Sequence, residues 1–439
     1  MAEEKGSTRD PTVDDRSFSR PTANEANEGV CIGFLRTRAD RALRRLRDHG
    51  SEEKEAIMAR RVLRTRLCEL LGIEYPVLSA GMGPTLIGEP NGAPVELVVA
   101  VSEAGGLGVL GGAGFTLDEL RDAIREIKKL TKKPYGVDLL LPRDLAGDMT
   151  TAGGQEIPLK QALELLPRNH LEWFKRVQAE LGLPEVDLTV KSDTTPMYPN
   201  EAIQICIDEK VPLFCAGLGN PGFMVEKAHA AGMKVLGVVG NAKNARRVAS
   251  SGVDFVVAQG YEGGGHTGRI GTLALVPQAI DAARPVPVLA AGGIGDGRGL
   301  AAVLAMGCVG VWVGTRFLAT KEAGAMELCK RRIVEATDED TRVSTLYTGK
   351  TSRTNYSRVH DLWASSGLDA LPFPIQVLLS SALLRCFIKA GKEEYVAGFA
   401  GQVSGLIQEI KPAGEVLLEM VEQAADILTR RLPSEVVVN

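Results

Sequence analysis

The sequence predicts a (β/α)8 barrel with an insertion after strand 3 and a helical C-terminal extension. Three observations predict it. From Tyr75 onward, short apolar runs alternate with longer helical patterns, the sign of βα units wound around a parallel sheet. Eight such runs occur: Pro76–Ala80, Leu107–Leu110, Tyr135–Leu140, Val211–Ala216, Lys234–Val239, Val253–Ala258, Val286–Ala291 and Val309–Val313. The span from Tyr75 to about Ala336 fits the roughly 250 residues of such barrels once one insertion is allowed.

Each segment has its reason. Residues 1–34 are polar and poor in apolar anchors, which predicts disorder. Residues 35–66 interleave Arg36, Arg38, Arg41, Arg44, Arg45 and Arg47 with leucines 43, 46 and 63, which suits a helical extension with one solvated face. The barrel is placed at 67–336. Within it, Gly106-x-Gly108-x-x-Gly111 spells a dinucleotide fingerprint, but the predicted strand lies inside it, so these glycines are read as close helix and strand packing. Residues 142–210 are far longer than a usual βα connection and read as an inserted lid or wall, with amphipathic stretches at Leu159–Leu181 and Pro184–Lys191. Residues 337–439 open with a basic, Ser/Thr-rich piece (Arg342, Lys350, Arg353, Arg358) and continue as helices, Pro374–Lys389 and Val416–Leu432, packed on the barrel.

Composition narrows the function. The 439 residues hold 49 glycines and only 5% aromatics, which favours tight α/β packing. A formal net charge of −4 and a pI near 5.9 argue against nucleic acid or an anionic membrane as partner, leaving a small molecule. The seven cysteines are scattered and never spaced as CxxC, so neither a disulfide framework nor a zinc site is expected. No secretory leader or membrane span is read, and the chain is expected in the cytoplasm. A homodimer is the default assembly, which no residue specifies.

Barrel enzymes place their chemistry at the C-terminal ends of the strands. The sixth run ends in Ala258-Gln-Gly-Tyr-Glu-Gly-Gly-Gly-His-Thr-Gly268, a glycine-dense loop carrying His266. Bare backbone there lets a flat cofactor approach, and a neutral imidazole titrating near working pH can take or give a proton. Strand seven ends in Ala291-Gly292-Gly293-Ile294-Gly295 and strand eight in Gly314-Thr315-Arg316-Phe317. Amides in these two turns, the Thr315 hydroxyl and a helix N-terminus aimed at the same point would cradle one phosphate.

Gly81-Met82, Ala104-Gly105-Gly106-Leu107-Gly108, the Ala258-to-Gly268 loop, Ala291-Gly292-Gly293-Ile294 and Gly314-Thr315-Arg316-Phe317 together resemble the nitronate monooxygenase family, from about Leu67 to Leu318. The likeness continues more loosely through Thr348-Gly349-Lys350 and Gly401-Gln402-Val403. It implies an FMN-dependent barrel that oxidises alkyl nitronates with O2 to a carbonyl compound and nitrite. By motif position, Gly81 and Met82 line the isoalloxazine, Gln259, Gly264 and Gly265 contact the flavin, Gly292, Gly293, Ile294, Gly314 and Thr315 hold its phosphate, and His266 is the catalytic base. Three positions depart from the pattern. Gly263 replaces alanine, Asp138 stands where an asparagine is frequent beside the flavin, and Trp312 stands where an amide is common and is read as barrel filling.

The loop's Glu-x-Gly-Gly-His pattern also resembles flavin-dependent enoyl-acyl-carrier-protein reductases, which use NAD(P)H, or a quinone reductase. Barrels similar to inosine monophosphate dehydrogenase need a loop cysteine that residues 263–268 lack; Cys215, ending strand four, reads as a small core residue. A flavin-binding barrel without catalysis is the non-enzymatic alternative.

Overall fold

Strands β1 (Val77–Ser79), β2 (Gly108–Gly111), β3 (Tyr135–Leu140), β4 (Leu213–Leu218), β5 (Lys234–Val239), β6 (Phe255–Gln259), β7 (Val288–Ala291) and β8 (Gly310–Val313) run parallel in the spatial order β1-β8-β7-β6-β5-β4-β3-β2. The ring closes where Leu78 bridges to Leu107, whose N–H donates to Val77 O at 3.1 Å. This computed structural model describes residues 63–437, apart from 86–88, 142–156, 159–165, 187–188, 191–194, 197 and 374. All eight predicted runs are strands, and their ends move by two residues at most.

The runs read as continuous apolar stretches because both faces are covered. Leu78, Val109, Leu213, Cys215, Leu236, Phe255, Val257, Leu289 and Trp312 point inward and fill the barrel. Val77, Leu110, Val137, Phe214, Val235, Val256, Ala290 and Val311 point outward and meet the surrounding helices. Trp312 is core, as its packing reading requires. The fingerprint glycines are contact points: a Cβ on Gly108 would lie 2.2 Å from Val98 O, and one on Gly111 would lie 2.0 Å from Met82 O.

The short helix Arg66–Leu71 seals the N-terminal end, with Leu67 and Cys68 buried in the barrel interior and Thr65 both capping the helix and donating to Val309 O at 2.5 Å. The expectations for residues 1–34 and for 35–62 lie outside the described residues. The helix Leu117–Leu130 starts on a capping box between Thr116 and Glu119.

Within the insertion, the two-residue strands Ile157–Pro158 and Thr189–Val190 pair antiparallel, and the second half of the predicted amphipathic stretch is the helix Arg168–Leu181. That helix does not pack on the barrel core. Its Trp173, Phe174 and Val177 join Trp363, Leu379, Leu383, Phe387 and Tyr395 in a second core, with Trp173 edge-on to Trp363 at 5.5 Å. Its carboxy-terminal partners are the helices Val359–Ser366, which was not singled out in sequence, and Ile375–Lys389, which was expected on the barrel but packs in this second core; the other expected helix, observed at Ala413–Asp426, does join the barrel's outer core. The last of these lies against the helix Gly297–Ala305, where a Cβ on Gly297 would sit 2.5 Å from Ala424 N.

One element of this region was not expected. The basic Ser/Thr-rich piece folds as an antiparallel hairpin, β9 (Thr341–Ser344) and β10 (Ser352–Asn355). Among the described residues no helix is long and apolar enough to cross a membrane, and the six described cysteines are buried free thiols.

Candidate active site

The loop after β6 is held from three directions. Glu262 curls back so that its carboxylate accepts from Thr272 N at 3.0 and 2.9 Å and from Thr272 Oγ1 at 2.9 Å. It thereby caps the helix Thr272–Ala283, whose own N-cap, Gly271, has no side chain to offer. Gln259 Nε2 donates to His266 O at 2.6 Å. Gly265 and His266 form a two-residue strand paired antiparallel with Arg353 and Ser352 of β10. The Arg353 guanidinium stacks on the Tyr261 ring at 4.5 Å and donates to Tyr261 O.

This fixes the imidazole. His266 Nε2 lies 2.9 Å from Thr348 Oγ1, in the turn between β9 and β10. Burial, and then the nearby Lys350 ammonium, push the His266 pKa down to about 4. Sequence reading put its titration near working pH; enclosure by the hairpin moves it below, so the ring is neutral at pH 7. Lys350 follows Gly349, whose φ of 77° and lack of a Cβ suit a turn pressed against Leu371 O.

Beside the ring opens a cavity of about 410 Å³ at the C-terminal ends of β4, β5 and β6, lined by Gly217, Gly240, Asn241, Arg247, Gln259, His266 and Lys350 among others. Neither Arg247 nor Lys350 meets a carboxylate among the described residues, so two uncompensated cations border a partly apolar recess. Such a recess attracts a small anion.

Asp138 ends up inside the barrel mouth. Its Oδ1 accepts from Gly217 N–H at 2.7 Å, and the residue is only 7% exposed. Gly81 and Gly217 press on it from either side. A Cβ on Gly81 would lie 2.2 Å from Asp138 Cβ, and one on Gly217 2.7 Å from Asp138 Oδ2. Burial holds this carboxyl well above the usual carboxylate range, outweighing the Gly217 hydrogen bond. Met82 reaches across to strand eight, where a Cβ on Gly314 would meet its Sδ at 3.8 Å.

The turns after β7 and β8 sit side by side, since Ala291 pairs with Trp312. Gly292 and Gly293 both have positive φ, 90° and 74°. The N–H groups of Gly293, Ile294, Gly314 and Thr315 find no acceptor among the described residues. Thr315 Oγ1 accepts from Gly401 N–H at 2.9 Å, which leaves its own proton to donate. Of the two helix N-termini beside these turns, that of the four-residue helix Thr315–Leu318 has no side-chain cap among the described residues, while the other is closed. The N-terminus of the helix Gly297–Ala305 is already capped by Asp296, which accepts from Arg298 N and Gly299 N, and Gly297 N–H is taken by Gln423. An anion here would rest on loop amides and the Thr315 hydroxyl.

The family model for nitronate monooxygenase matches residues 64–423, which include every element of this mouth. The chain belongs to the nitronate monooxygenase family. It is 32% identical over 385 residues to a probable nitronate monooxygenase of Staphylococcus saprophyticus, covering 84% of this chain and 99% of that one. It is 37% identical over 379 residues to a Mycobacterium tuberculosis protein assigned by name to the monooxygenases, covering 83% and 97%. Among solved structures, the nitroalkane oxidase of Streptomyces ansochromogenes superposes with a TM-score of 0.67 at 28% identity, covering 83% of this chain and 99% of that chain. FabK of Thermotoga maritima superposes at 0.64 and 29%, covering 85% and 100%. Membership makes this chain an oxidoreductase.

The residues singled out by motif thus gather at one end of the barrel: Gly81 and Met82 after β1, Asp138 on β3, Gln259 and His266 around β6, and the β7 and β8 turns. They do not all share one recess. Gln259 and His266 line the cavity, whereas Gly264 is turned away, its missing Cβ facing Ala400 and Gly401, and Gly265 has nothing within 4 Å of where a Cβ would be. Thr348, Lys350, Arg353 and Arg247 were missed as site residues. The one signal for them was the Thr348-Gly349-Lys350 triplet, read only as a loose likeness.

Proposed function

We propose that this protein oxidises alkyl nitronates with O2 to a carbonyl compound and nitrite on a bound FMN, with His266 as the catalytic base. The observation that carries the reading is a neutral imidazole held by Thr348 at the rim of a cavity bordered by two cations that meet no carboxylate among the described residues.

The residues present fit the cofactor. Amides at Gly293, Ile294, Gly314 and Thr315 that find no acceptor among the described residues, with the Thr315 hydroxyl, make a phosphate seat of the right chemistry. Met82 offers an apolar side chain beside Gly314 for a flat ring system, and Gln259, whose Nε2 is spent on His266 O, keeps its Oε1 for that ring. When bound, the flavin supplies the electron transfer between substrate and O2.

The chain's own residues do the rest. A nitronate is already an anion, and the Lys350 and Arg247 charges offset it as it leaves water. With Nε2–H donating to Thr348 Oγ1, the acceptor lone pair of the ring is on Nδ1. There it accepts the α-carbon proton when the substrate arrives as the neutral nitroalkane. A base that holds its proton only below about pH 4 is a weak one. Nitronates are therefore the better substrates, and the neutral nitroalkane turns over slowly. The setting is taken to be cytoplasmic.

Product analysis tests this reading. Incubation with an alkyl nitronate in air yields nitrite and carbonyl product in step with O2 uptake. Lys350→Met raises KM for the nitronate about tenfold, the worth of one partly screened charge at close range, and changes kcat less. Nitrite release that is absent in the wild type, or a KM untouched by Lys350→Met, contradicts it.

A further inference from the structure

We propose that Asp138 acts on the bound flavin as a positioning group in its carboxylic-acid form, donating an O–H hydrogen bond where an amide side chain would donate an N–H. This rests on the flavin reading above and assigns the residue a chemical state. Alternation along β3 sends Val137 and Leu139 outward into the helical shell and Asp138 inward to the barrel mouth. Among the described residues, four groups adjoin it, two against the carboxyl and two as register neighbours in the sheet. These are Gly81 after β1, Gly111 in register on β2, and Cys215 and Gly217 on β4. Of these only the Cys215 thiol titrates, and burial followed by the Asp138 charge pushes it up as well. The carboxyl has one N–H donor, at Oδ1, and no cation pairs with it among the described residues.

A carboxylate so placed would give up its hydration for a single hydrogen bond, and the cheaper state carries the proton. The glycines on both sides wedge the group between two backbones, so it cannot swing to water. Buried acids held neutral in this way serve elsewhere as hydrogen-bond donors at pH 7. An ionised aspartate would place a negative charge against the flavin; the protonated form has the donor and acceptor of asparagine and no charge.

Infrared difference spectra of wild type against Asp138→Asn, in H2O and D2O at pH 7, read the proton directly. The expected result is a protonated carboxylic-acid C=O band in the flavin-free wild type that vanishes in the variant and shifts when FMN binds. Asp138→Asn keeps FMN affinity within about threefold, and Asp138→Leu, of similar bulk but without a donor, loses about tenfold or more. Unfolding provides a second readout on the flavin-free chain. The unfolded chain releases this proton above about pH 3.8 while the fold keeps it, so wild-type stability falls with rising pH through this group. The denaturation midpoint of Asp138→Asn therefore gains on wild type between pH 4 and pH 8.

Absence of the acid band at pH 7, or a variant midpoint that loses ground by pH 8, overturns the protonated state. A band that FMN leaves unmoved overturns the contact. A protein that takes up no flavin removes the contact together with the function proposed above, and the band in flavin-free protein tells that failure apart from a failure of the protonation.

Discussion

Replacing His266 with alanine leaves FMN uptake unchanged and lowers oxidation of a neutral nitroalkane about 10²–10⁴-fold, the usual share of a positioned general base. The proposed phosphate seat lies in the β7 and β8 turns, and the imidazole's hydrogen-bond partner is Thr348 and not a residue of those turns, so cofactor content is expected to stay level. Nitronate oxidation falls less, about tenfold, because that substrate has no proton to lose and forfeits only a contact. In wild type, nitroalkane turnover is retained while the ring is neutral and drops as pH falls through about 4, where His266 becomes charged. Steady-state assays with both substrate forms check this. Unchanged nitroalkane rates in the variant would remove His266 as the base.

Gly264→Ala has the largest expected structural effect. A Cβ there would lie 2.7 Å from Ala400 C and Gly401 N, both backbone atoms with no rotamer to yield. The strand of chain it meets is tied twice into the mouth, by Gly401 N–H to Thr315 Oγ1 and by Gln402 N–H to Glu262 O, each at 2.9 Å. One methyl therefore loosens the Glu262 cap and the phosphate turn together. The expected cost is about 3 kcal/mol, the upper range for overpacking, with FMN affinity down tenfold or more. Gly265→Ala is the control. Nothing lies within 4 Å of its Cβ, and only its φ of 70° is strained, at about 1–2 kcal/mol. Denaturation midpoints and flavin content of the two variants give the comparison. Equal losses would mean that backbone strain, and not the contact with 400–401, governs the loop.

The barrel was legible because strands buried on both faces announce themselves as unbroken apolar runs, and because glycine marks where a strand must turn. The strand ends were placed too early, by two residues at β4 and by one at β6, where glycine or polar residues, Gly217 and Gln259, still belong to the sheet. The hairpin was illegible for the opposite reason. Ser352, Arg353, Thr354 and Asn355 are all buried, yet no apolar alternation marks them, since they are enclosed by β9 on one side and by Gly265, His266 and the 398–399 segment on the other. The same packing lowers the His266 pKa, a property of enclosure and of Lys350 that no local pattern carries. The Glu262 cap is likewise invisible in sequence, its partner lying ten residues on, past five glycines and a histidine.

Asp138 shows a different limit. The sequence marks it as a departure beside the flavin, but a carboxylate and a carboxylic acid are the same letter. The proposed acid form rests on the two glycine walls and the single N–H donor seen among the described residues.

The most direct measurement is the visible spectrum of the flavin-loaded protein under anaerobic conditions, challenged separately with an alkyl nitronate and with NAD(P)H. The account predicts that the nitronate alone bleaches the flavin and that nitrite and carbonyl product follow when O2 is admitted. Rapid bleaching by NAD(P)H with no response to the nitronate would contradict it and assign the barrel to a nicotinamide-dependent reductase.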